Sequence, residues 1–298
     1  MPMSLKLKTV VALLALFPVS ALADGARDWV NAPVDRTFTY FYYSHADGYA
    51  SFDNSLPITG GSLKANVPIF RIARTFDIGG RVSAFQLVIP YARLKGSLNG
   101  TSIGRSISGV GDIQAIFATN LYGAPSMTLE QIMAAKPQDY LAASVTLTMP
   151  TGQYDRFRQV NVGKNRWAIK PQLSWGKYFT DDSLLAINTN VQFFSENDEY
   201  MGLGKLRQDP IFTLEAHYSK NLHPALWVSA DAFYHYGGET KRNGVKQGDR
   251  QSTLLLGLSA NMNISLTEAI SVSYAQSVAK ESYTPKVKTF SISFSKMW

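Results

Sequence analysis

The sequence contains no cysteine, few histidines and few charges. Of its 298 residues only four are His, and Asp, Glu, Lys and Arg together make up 17%. A chain without cysteine has no disulfide framework, no thiol catalysis and no Cys-ligated zinc. The mean hydropathy of −0.08 argues against a bundle of membrane-spanning helices. Hydrophobic residues at 45% and aromatic residues at 12% argue equally against disorder, so we expect a packed structure.

Only one long apolar run is present, and it lies at the N-terminus. Two lysines precede an apolar stretch over 9–19, and Ala21-Leu22-Ala23 follows it as a small-residue cleavage pattern. This layout predicts a secretory signal peptide over 1–23, because the stretch is too short to cross ~30 Å of hydrocarbon. The mature chain would begin at Asp24 with a net charge of +5 (27 − 22), and no cysteine follows that could carry a lipid anchor.

After residue 36, apolar and polar residues alternate with the period of a β-strand. The alternation marks twelve segments: 37–45, 65–76, 82–94, 113–121, 140–149, 167–175, 185–193, 212–219, 225–236, 254–262, 269–278 and 290–298. Most are longer than the ~5–6 residues typical of soluble proteins, and ~10 residues tilted by ~45° cross a bilayer. The prediction is an all-β, transmembrane, antiparallel up-and-down β-barrel over 37–298, preceded by an N-terminal periplasmic segment (24–36). The alternative is a soluble two-sheet β-sandwich.

The connections alternate between long and short. Long segments fall at 46–63, 95–112, 151–166, 195–210, 237–251 and 279–285, and short ones near 77–80, 180–183, 221–224 and 264–268. Outer-membrane barrels have short periplasmic turns and long outer loops, so this parity supports the barrel. One connection, 122–139, is long where a turn is expected. There the spacing Thr128-x-x-Gln131 is typical of a capping box and predicts a brief helix.

Aromatic residues lie near strand ends, as expected for girdles at the two membrane interfaces. The predicted girdle residues are Tyr40, Tyr42, Tyr43, Tyr91, Trp167, Trp175, Tyr178, Trp227, Tyr234 and Tyr236. The chain ends on Trp298 inside an amphipathic strand. This ending resembles the signal that outer-membrane barrels offer to the barrel assembly machinery, which is therefore an expected partner.

The alternation also assigns side chains to the lumen, because polar faces cannot meet lipid. The predicted substrate pathway comprises Lys170, Gln172, Asn188, Asn190, Gln192, Glu215, His217, Asp231 and His235. Lys170, Glu215 and Asp231 are expected to form a network across the barrel. Asp231 should lie opposite either His217 or Glu215, and opposite charges favour His217. Such a network either holds the barrel in shape or serves transport.

Two of the predicted outer loops are rich in cations. Residues 151–166 and 237–251 each carry four Lys or Arg side chains. Arginine binds phosphate well, so outer-membrane lipids and lipopolysaccharide are candidate partners, with ordinary solvated charge as the alternative. No basic cluster interleaved with stacking aromatic residues is present, so no nucleic acid is expected to bind.

Several motifs at predicted strand–loop junctions are similar to one known family. They are GVGD at 109–112, PTGQYD at 150–155, NVGKNRW at 161–167 with Lys170-Pro171, YGGET at 236–240, and the smaller matches Gly80-Arg81, LVIPY at 87–91, Asp231, Asn243-Gly244 and Gly257. Over about residues 35–298 the chain resembles the phenol-degradation meta-pathway family of bacterial outer-membrane proteins. The resemblance implies a transporter-like membrane β-barrel that moves hydrophobic or aromatic compounds. The motif glycines and acids are expected to shape loops, or alternatively to build an inward-folded loop that narrows the pore.

The function these observations predict is an outer-membrane channel for passive passage of small hydrophobic or aromatic compounds. A small-molecule substrate is implied, and no cofactor is. One alternative is a lipid hydrolase with an active site at the outer rim, for which His45 and His235 are the candidate histidines. No G-x-S-x-G or H-E-x-x-H motif accompanies them, so the protein is predicted not to be an enzyme. The other alternative is a non-conducting structural barrel.

Overall fold

The structure, a computed structural model, describes residues 24–51, 60–98, 104–158, 160–281 and 284–298. The predicted signal peptide (1–23) and parts of the predicted loops 46–63, 95–112, 151–166 and 279–285 lie outside the described residues. No helix in the described part of the chain has the length and apolarity needed to cross a membrane.

The described chain forms seventeen strands and one short helix, α1 (Leu129–Ala134). The strands are β1 (Thr37–Ser51), β2 (Gly60–Ile78), β3 (Arg81–Leu98), β4 (Gly104–Val110), β5 (Gln114–Tyr122), β6 (Tyr140–Thr148), β7 (Ala168–Thr180), β8 (Ser183–Phe194), β9 (Asn197–Tyr200), β10 (Gly204–Gln208), β11 (Ile211–His223), β12 (Leu226–Gly237), β13 (Thr240–Arg242), β14 (Val245–Lys246), β15 (Gln251–Asn263), β16 (Glu268–Lys280) and β17 (Lys286–Met297).

Twelve antiparallel barrel strands, which we call walls, close into a barrel, and this confirms the predicted fold. In chain order the walls are β1, β2, β3, the consecutive pair β4 and β5, then β6, β7, β8, β11, β12, β15, β16 and β17. The last wall pairs with the first, from Phe38 opposite Met297 to Tyr49 opposite Lys286. Closure gives each wall two neighbours and satisfies its backbone groups inside the sheet, which a membrane requires.

The two faces of each wall differ in burial as the alternation predicts. On β7, Ile169, Leu173 and Trp175 are exposed on the outer surface, while Gln172 and Ser174 between them are buried. Apolar side chains can face lipid, whereas polar ones must be hydrogen-bonded inside. The same phase continues through β8, β11 and β12, so this side of the barrel follows the predicted pattern.

The predicted helix in the long connection is confirmed and caps as expected. The Thr128 hydroxyl accepts from the backbone N–H of Gln131 (3.3 Å), and the Gln131 side chain accepts from the N–H of Thr128 (2.8 Å). Two orphan backbone donors are satisfied in this way at the start of α1. At the opposite end of the barrel, β9, β10, β13 and β14 form a small sheet built from two long connections.

Four of the ten predicted girdle residues face the lumen instead of lipid, which corrects the prediction. Tyr40, Tyr42 and Trp227 line an internal cavity, and Tyr178 lies on the same face of β7 as Gln172. Their partners inside the barrel are arginines, and a guanidinium over an aromatic face is stabilising. Tyr43, Tyr91, Trp167, Trp175 and Tyr236 are exposed on the outer surface, where the prediction placed them.

Candidate functional site in the barrel lumen

The N-terminal segment (24–36) enters the barrel and packs against its inner wall. Arg27 donates through Nε to Ser219 Oγ (2.9 Å) and through Nη1 to Asn221 Oδ1 (2.7 Å). The same guanidinium lies 5.3 Å from the ring centroid of Trp227. These contacts fix the segment beside the short-turn ends of β11 and β12, where it fills part of the lumen.

A second cluster joins the segment to β1, β2 and β3. Arg71 Nη1 lies 3.9 Å from Asp28 Oδ2, and Arg71 Nε donates to Gln86 Oε1 at 2.6 Å. Arg71 also donates to the Tyr42 hydroxyl (3.3 Å) and covers the Tyr40 ring at 5.0 Å. A single inward arginine therefore ties the N-terminal segment to three walls. Sequence reasoning missed this cluster, because it assigned Tyr40 and Tyr42 to the girdle and left Arg71 without a role.

The polar wall begins with β7 and β8. Gln172 donates to Ser174 Oγ (3.1 Å) and to Asp24 of the N-terminal segment. Asn190 Nδ2 donates to Gln172 Oε1 at 3.3 Å. Of the predicted pathway residues, Gln172 thus touches the segment that occupies the lumen.

The next part of this wall is a buried cluster around His217. Its Nδ1 lies 2.8 Å from Asp231 Oδ1 and its Nε2 lies 3.7 Å from Glu215 Oε2. Ser229 Oγ donates to Asp231 at 2.7 Å, and Asn188 Nδ2 donates to Glu215 at 3.3 Å. The register places Asp231 directly opposite His217, the pairing favoured on charge grounds. Two carboxylates thus share one imidazole, which is compatible with burial because each has a hydrogen-bond donor.

The remaining predicted pathway residues also face inward. Lys170 lines a cavity around the N-terminal segment. Gln192 lies on the face of β8 that carries Asn190, and His235 Nδ1 lies 3.0 Å from Thr213 Oγ1. The predicted network differs in its basic member, because none of the ion pairs among the described residues includes Lys170. The imidazole of His217 takes that position. The role of all nine residues in a pathway stays a prediction.

Two adjoining cavities lie within the lumen. The inner cavity, of about 190 Å³, surrounds the N-terminal segment and has mixed walls that include Tyr40, Arg71 and Gln172. The outer cavity, of about 180 Å³, lies toward the long-loop end and is mainly apolar. Its walls include Leu63, Ala65, Val67, Phe233, Leu255 and Ala275, with His217, Asp231 and His235 as polar members.

Part of this apolar lining comes from β2, whose inward residues also pack against β3. Leu63, Ala65, Val67 and Ile69 point inward and are each less than 5% exposed, and they pack with Val88. Lys64 and Asn66 between them point outward. The rule that polar faces line the lumen therefore fails in this part of the barrel. The sequence showed that residues alternate here, but it did not show which face points inward.

The longest family motifs converge at the outer end of the lumen. One carboxylate, Asp112 in the break between β4 and β5, accepts from the backbone N–H of Gly152 (2.9 Å) and of Lys164 (2.8 Å). Gly152 and Gly163 are in direct backbone contact, and an added Cβ on either would lie within 3 Å of the other. Three motifs that are distant in sequence are therefore joined by Asp112, Gly152, Gly163 and Lys164, which we call the clasp. Glycine is required at 152 and 163 because the two backbones touch there.

The clasp brings the connection between β6 and β7 onto the apolar lining. Val160 and Val162 pack against the cluster of Leu63, Val67 and Val88. The connection is thus folded inward over the outer end of the lumen. The motif residues therefore shape this loop, and its role in narrowing a pore stays a prediction.

Burial lowers the pKa values of the two cations at the clasp, Lys164 and Arg166. Removal from water lowers the pKa of Lys164 to about 8, an effect that the nearby charge of Arg166 reinforces and that of Asp112 opposes. Desolvation likewise lowers the pKa of Arg166 to about 10. That guanidinium stacks over the Phe194 ring at 4.4 Å. Cations here are held by packing as well as by charge.

The closed barrel, its apolar outer surface and its polar interior clusters define an outer-membrane β-barrel protein. Residues 46–294 match the family model described as "Putative MetA-pathway of phenol degradation". The chain belongs to this family, as the sequence motifs indicated. No protein with a curated functional description is significantly similar to it.

Solved structures share the fold. The COG4313 outer membrane channel from Pseudomonas putida F1 is 22% identical with a TM-score of 0.79, and the match covers 93% of this chain and 100% of that one. The beta domain of the Bordetella autotransporter BrkA is 11% identical, with a TM-score of 0.55 and coverage of 88% and 99%. The translocator domain of NalP from Neisseria meningitidis is 10% identical, with a TM-score of 0.52 and coverage of 98% and 97%.

Proposed function

We propose that this protein is a passive outer-membrane channel for small hydrophobic or aromatic compounds. The observation that carries the proposal is the mainly apolar outer cavity, lined by Leu63, Val67, Phe233 and Leu255 inside the barrel lumen. A cavity of about 180 Å³ suits a single aromatic ring, since an apolar cavity of ~150 Å³ binds benzene. Membership of the family named for phenol degradation supports this substrate class. A similar structure titled as an outer membrane channel supports passage through the barrel.

The polar members of the cavity would serve selectivity. His217 and Asp231 lie at its wall, already hydrogen-bonded to each other. An apolar guest gains from burial against the β2 side, while a hydrated ion loses water there without gaining a full set of ligands. The proposed passage is therefore selective against ions and permissive for neutral rings.

The rim-hydrolase alternative has less support. His45 is bonded to Asn66 and Asp47, and His235 to Thr213. Within the described residues neither histidine is hydrogen-bonded to a serine hydroxyl, which nucleophilic catalysis by a Ser–His pair needs. That the protein is not an enzyme stays a prediction.

Making the outer cavity polar tests the proposed channel. The double variant Val67→Asn and Leu255→Asn should slow the initial uptake of a radiolabelled monoaromatic compound into whole cells by roughly tenfold. The loss of ~1.4 kcal/mol of apolar transfer energy suffices for that factor. Thr253→Val, a matched change in the same cavity, should leave uptake unchanged or faster. Equal uptake by the double variant and the parent, at equal barrel levels in the outer membrane, contradicts the proposal.

A further inference from the structure

The outer surface of β17, β1, β2 and β3 carries a band of exposed cations. Its members are Lys64, Arg93, Lys95, Lys286 and Lys288, which we call the cationic band. The sheet register aligns part of it in one row, with Lys288 opposite Asp47, Asp47 opposite Lys64, and Lys64 opposite Lys95. With strands ~4.8 Å apart, that row spans about 14 Å.

The charges of the cationic band are mostly unpaired within the protein. Lys64 Nζ lies 3.7 Å from Asp47 Oδ1, and the other four cations form no ion pair among the described residues. Five cations against one carboxylate leave a net charge of +4 (5 − 1). Lys64 and Lys95 are directly opposite neighbours, an arrangement that destabilises a sheet unless an anion lies between them.

The outer loops differ from the band. Five of their cations are matched by acids of the same region: Arg156 with Glu199, Arg158 with Asp155, Lys241 with Asp209, Lys246 with Glu239 and Arg250 with Glu281. The loop cations that the sequence nominated for lipopolysaccharide are therefore largely neutralised within the protein. The available positive charge lies on the outer faces of the strands.

The height of the cationic band matches the outer membrane interface. On β2 the outward residues between two exposed cations, Arg74 and Lys64, are Ile72, Phe70, Pro68 and, next to Lys64, the polar Asn66. Ten residues at ~3.3 Å each, tilted ~45°, rise about 23 Å, close to the ~25 Å apolar belt of outer-membrane barrels. Since Arg74 is at the short-turn end, Lys64 falls at the outer headgroup level.

Apolar and aromatic side chains lie directly below the band. Phe290 is 46% exposed, Tyr43 45% and Tyr91 37%. Phe290 is the next outward residue after Lys288, and Tyr91 is the next after Arg93, toward the centre of the membrane. Tyr43 lies opposite Pro68, one outward position beyond the row of His45 and Phe290. A ligand with phosphates at the top and acyl chains beneath would meet a complementary surface on both counts.

We propose that this face binds a phosphorylated glycolipid of the outer leaflet, the lipid A part of lipopolysaccharide. Lys64, Arg93, Lys95 and Lys288 contact its phosphates, and Phe290, Tyr43 and Tyr91 pack against the first part of its acyl chains. The proposal is independent of transport, because all these side chains lie outside the lumen.

Native mass spectrometry of the detergent-purified protein, titrated with diphosphorylated lipid A, tests the assignment. The variant K64Q/R93Q/K95Q/K288Q should bind lipid A at least about tenfold more weakly, since each cation near an anionic lipid surface contributes several-fold. The control R156Q/R158Q/K241Q/K246Q removes the same charge from the loops and should bind within about twofold of the parent. D47N removes the one carboxylate and should bind more tightly.

The arms of the experiment separate the possible outcomes. Dephosphorylated lipid A should bind the parent as weakly as the quadruple variant binds the phosphorylated form. Heat-modifiable migration on gels shows that each variant is a folded barrel. An equal loss in the loop control, equal binding of dephosphorylated lipid A, or equally tight binding of inorganic phosphate would overturn the proposal, and none of these bears on the channel.

Discussion

The two sides of the barrel have opposite linings. From β7 to β12 the inward face carries amides, carboxylates and histidines, and the outward face is apolar. In the outer halves of β2 and β3 the inward face is aliphatic, and lysine and arginine face outward. Both sides show the same period of two. Alternation therefore identifies a strand, but the lipid, water, loop or lumen against each face decides which residues point inward.

The reason for the difference is what covers each wall. The polar side lines a lumen where side chains bond to each other and to the N-terminal segment, as Gln172 does with Asp24. The aliphatic side is covered by a loop that inserts Val160 and Val162. The outward face of that region has already left the hydrocarbon layer, so Lys64 and Lys95 meet headgroups and water.

The largest effect is expected on the polar side. Asp231→Ala removes an acceptor that is hydrogen-bonded to both His217 and Ser229. Breaking a buried charged pair by removing one partner costs about 3–5 kcal/mol. Chemical unfolding followed by tryptophan fluorescence in detergent would measure the change. Replacing Glu215, His217 and Asp231 together by leucine should cost much less, and an equal or greater loss would show that the cluster does not act as one unit.

A smaller loss of stability is expected on the opposite side, together with a change in conductance. Arg71→Met removes the hydrogen bond to Gln86 and the contact with Asp28. A hydrogen bond to a charged group contributes ~1.5–3 kcal/mol. Without the Arg71 contact to Asp28, the N-terminal segment should also detach more readily. Single-channel recordings in planar bilayers should then show several-fold higher ion conductance. Arg93→Met, an outward arginine of β3 that forms no ion pair among the described residues, is the control and should behave as the parent.

The most local effect is the titration of Lys164 in the clasp. The pKa of Lys164 is about 8 in the folded protein against an ordinary 10.5. Below pH 8 the folded loop holds a buried charge, and between pH 8 and 10.5 it releases its proton before the unfolded chain does, so stability rises with pH there. NMR of the ¹³C-dimethylated lysine should give a midpoint near pH 8. Arg166→Gln should raise that midpoint, because it removes a like charge, and a fall would refute this account.

The number of strands, their length and the alternation of their connections could be read from the sequence. So could the capping box at Thr128 and the phase of β7 to β12, since Gln172, Asn188 and Asn190 are too polar to face lipid. The inward phase of Leu63 to Ile69 could not be read, because an aliphatic run fits lipid and a buried loop equally well. Tyr40 and Tyr42 were misassigned for the same reason, since an aromatic ring suits both a membrane interface and an arginine in the lumen.

By itself the sequence determined the class of structure: an alternating chain with too few apolar runs for helices must hide its polar faces, and a closed barrel does so. The tertiary structure alone decided how the lumen is filled. Asp112 closes its clasp on Gly152 and Lys164 across 40 and 52 residues, and Arg27 reaches Ser219 across 192. Such contacts depend on which strands become neighbours when the barrel closes, a choice that local propensity and spacing do not encode.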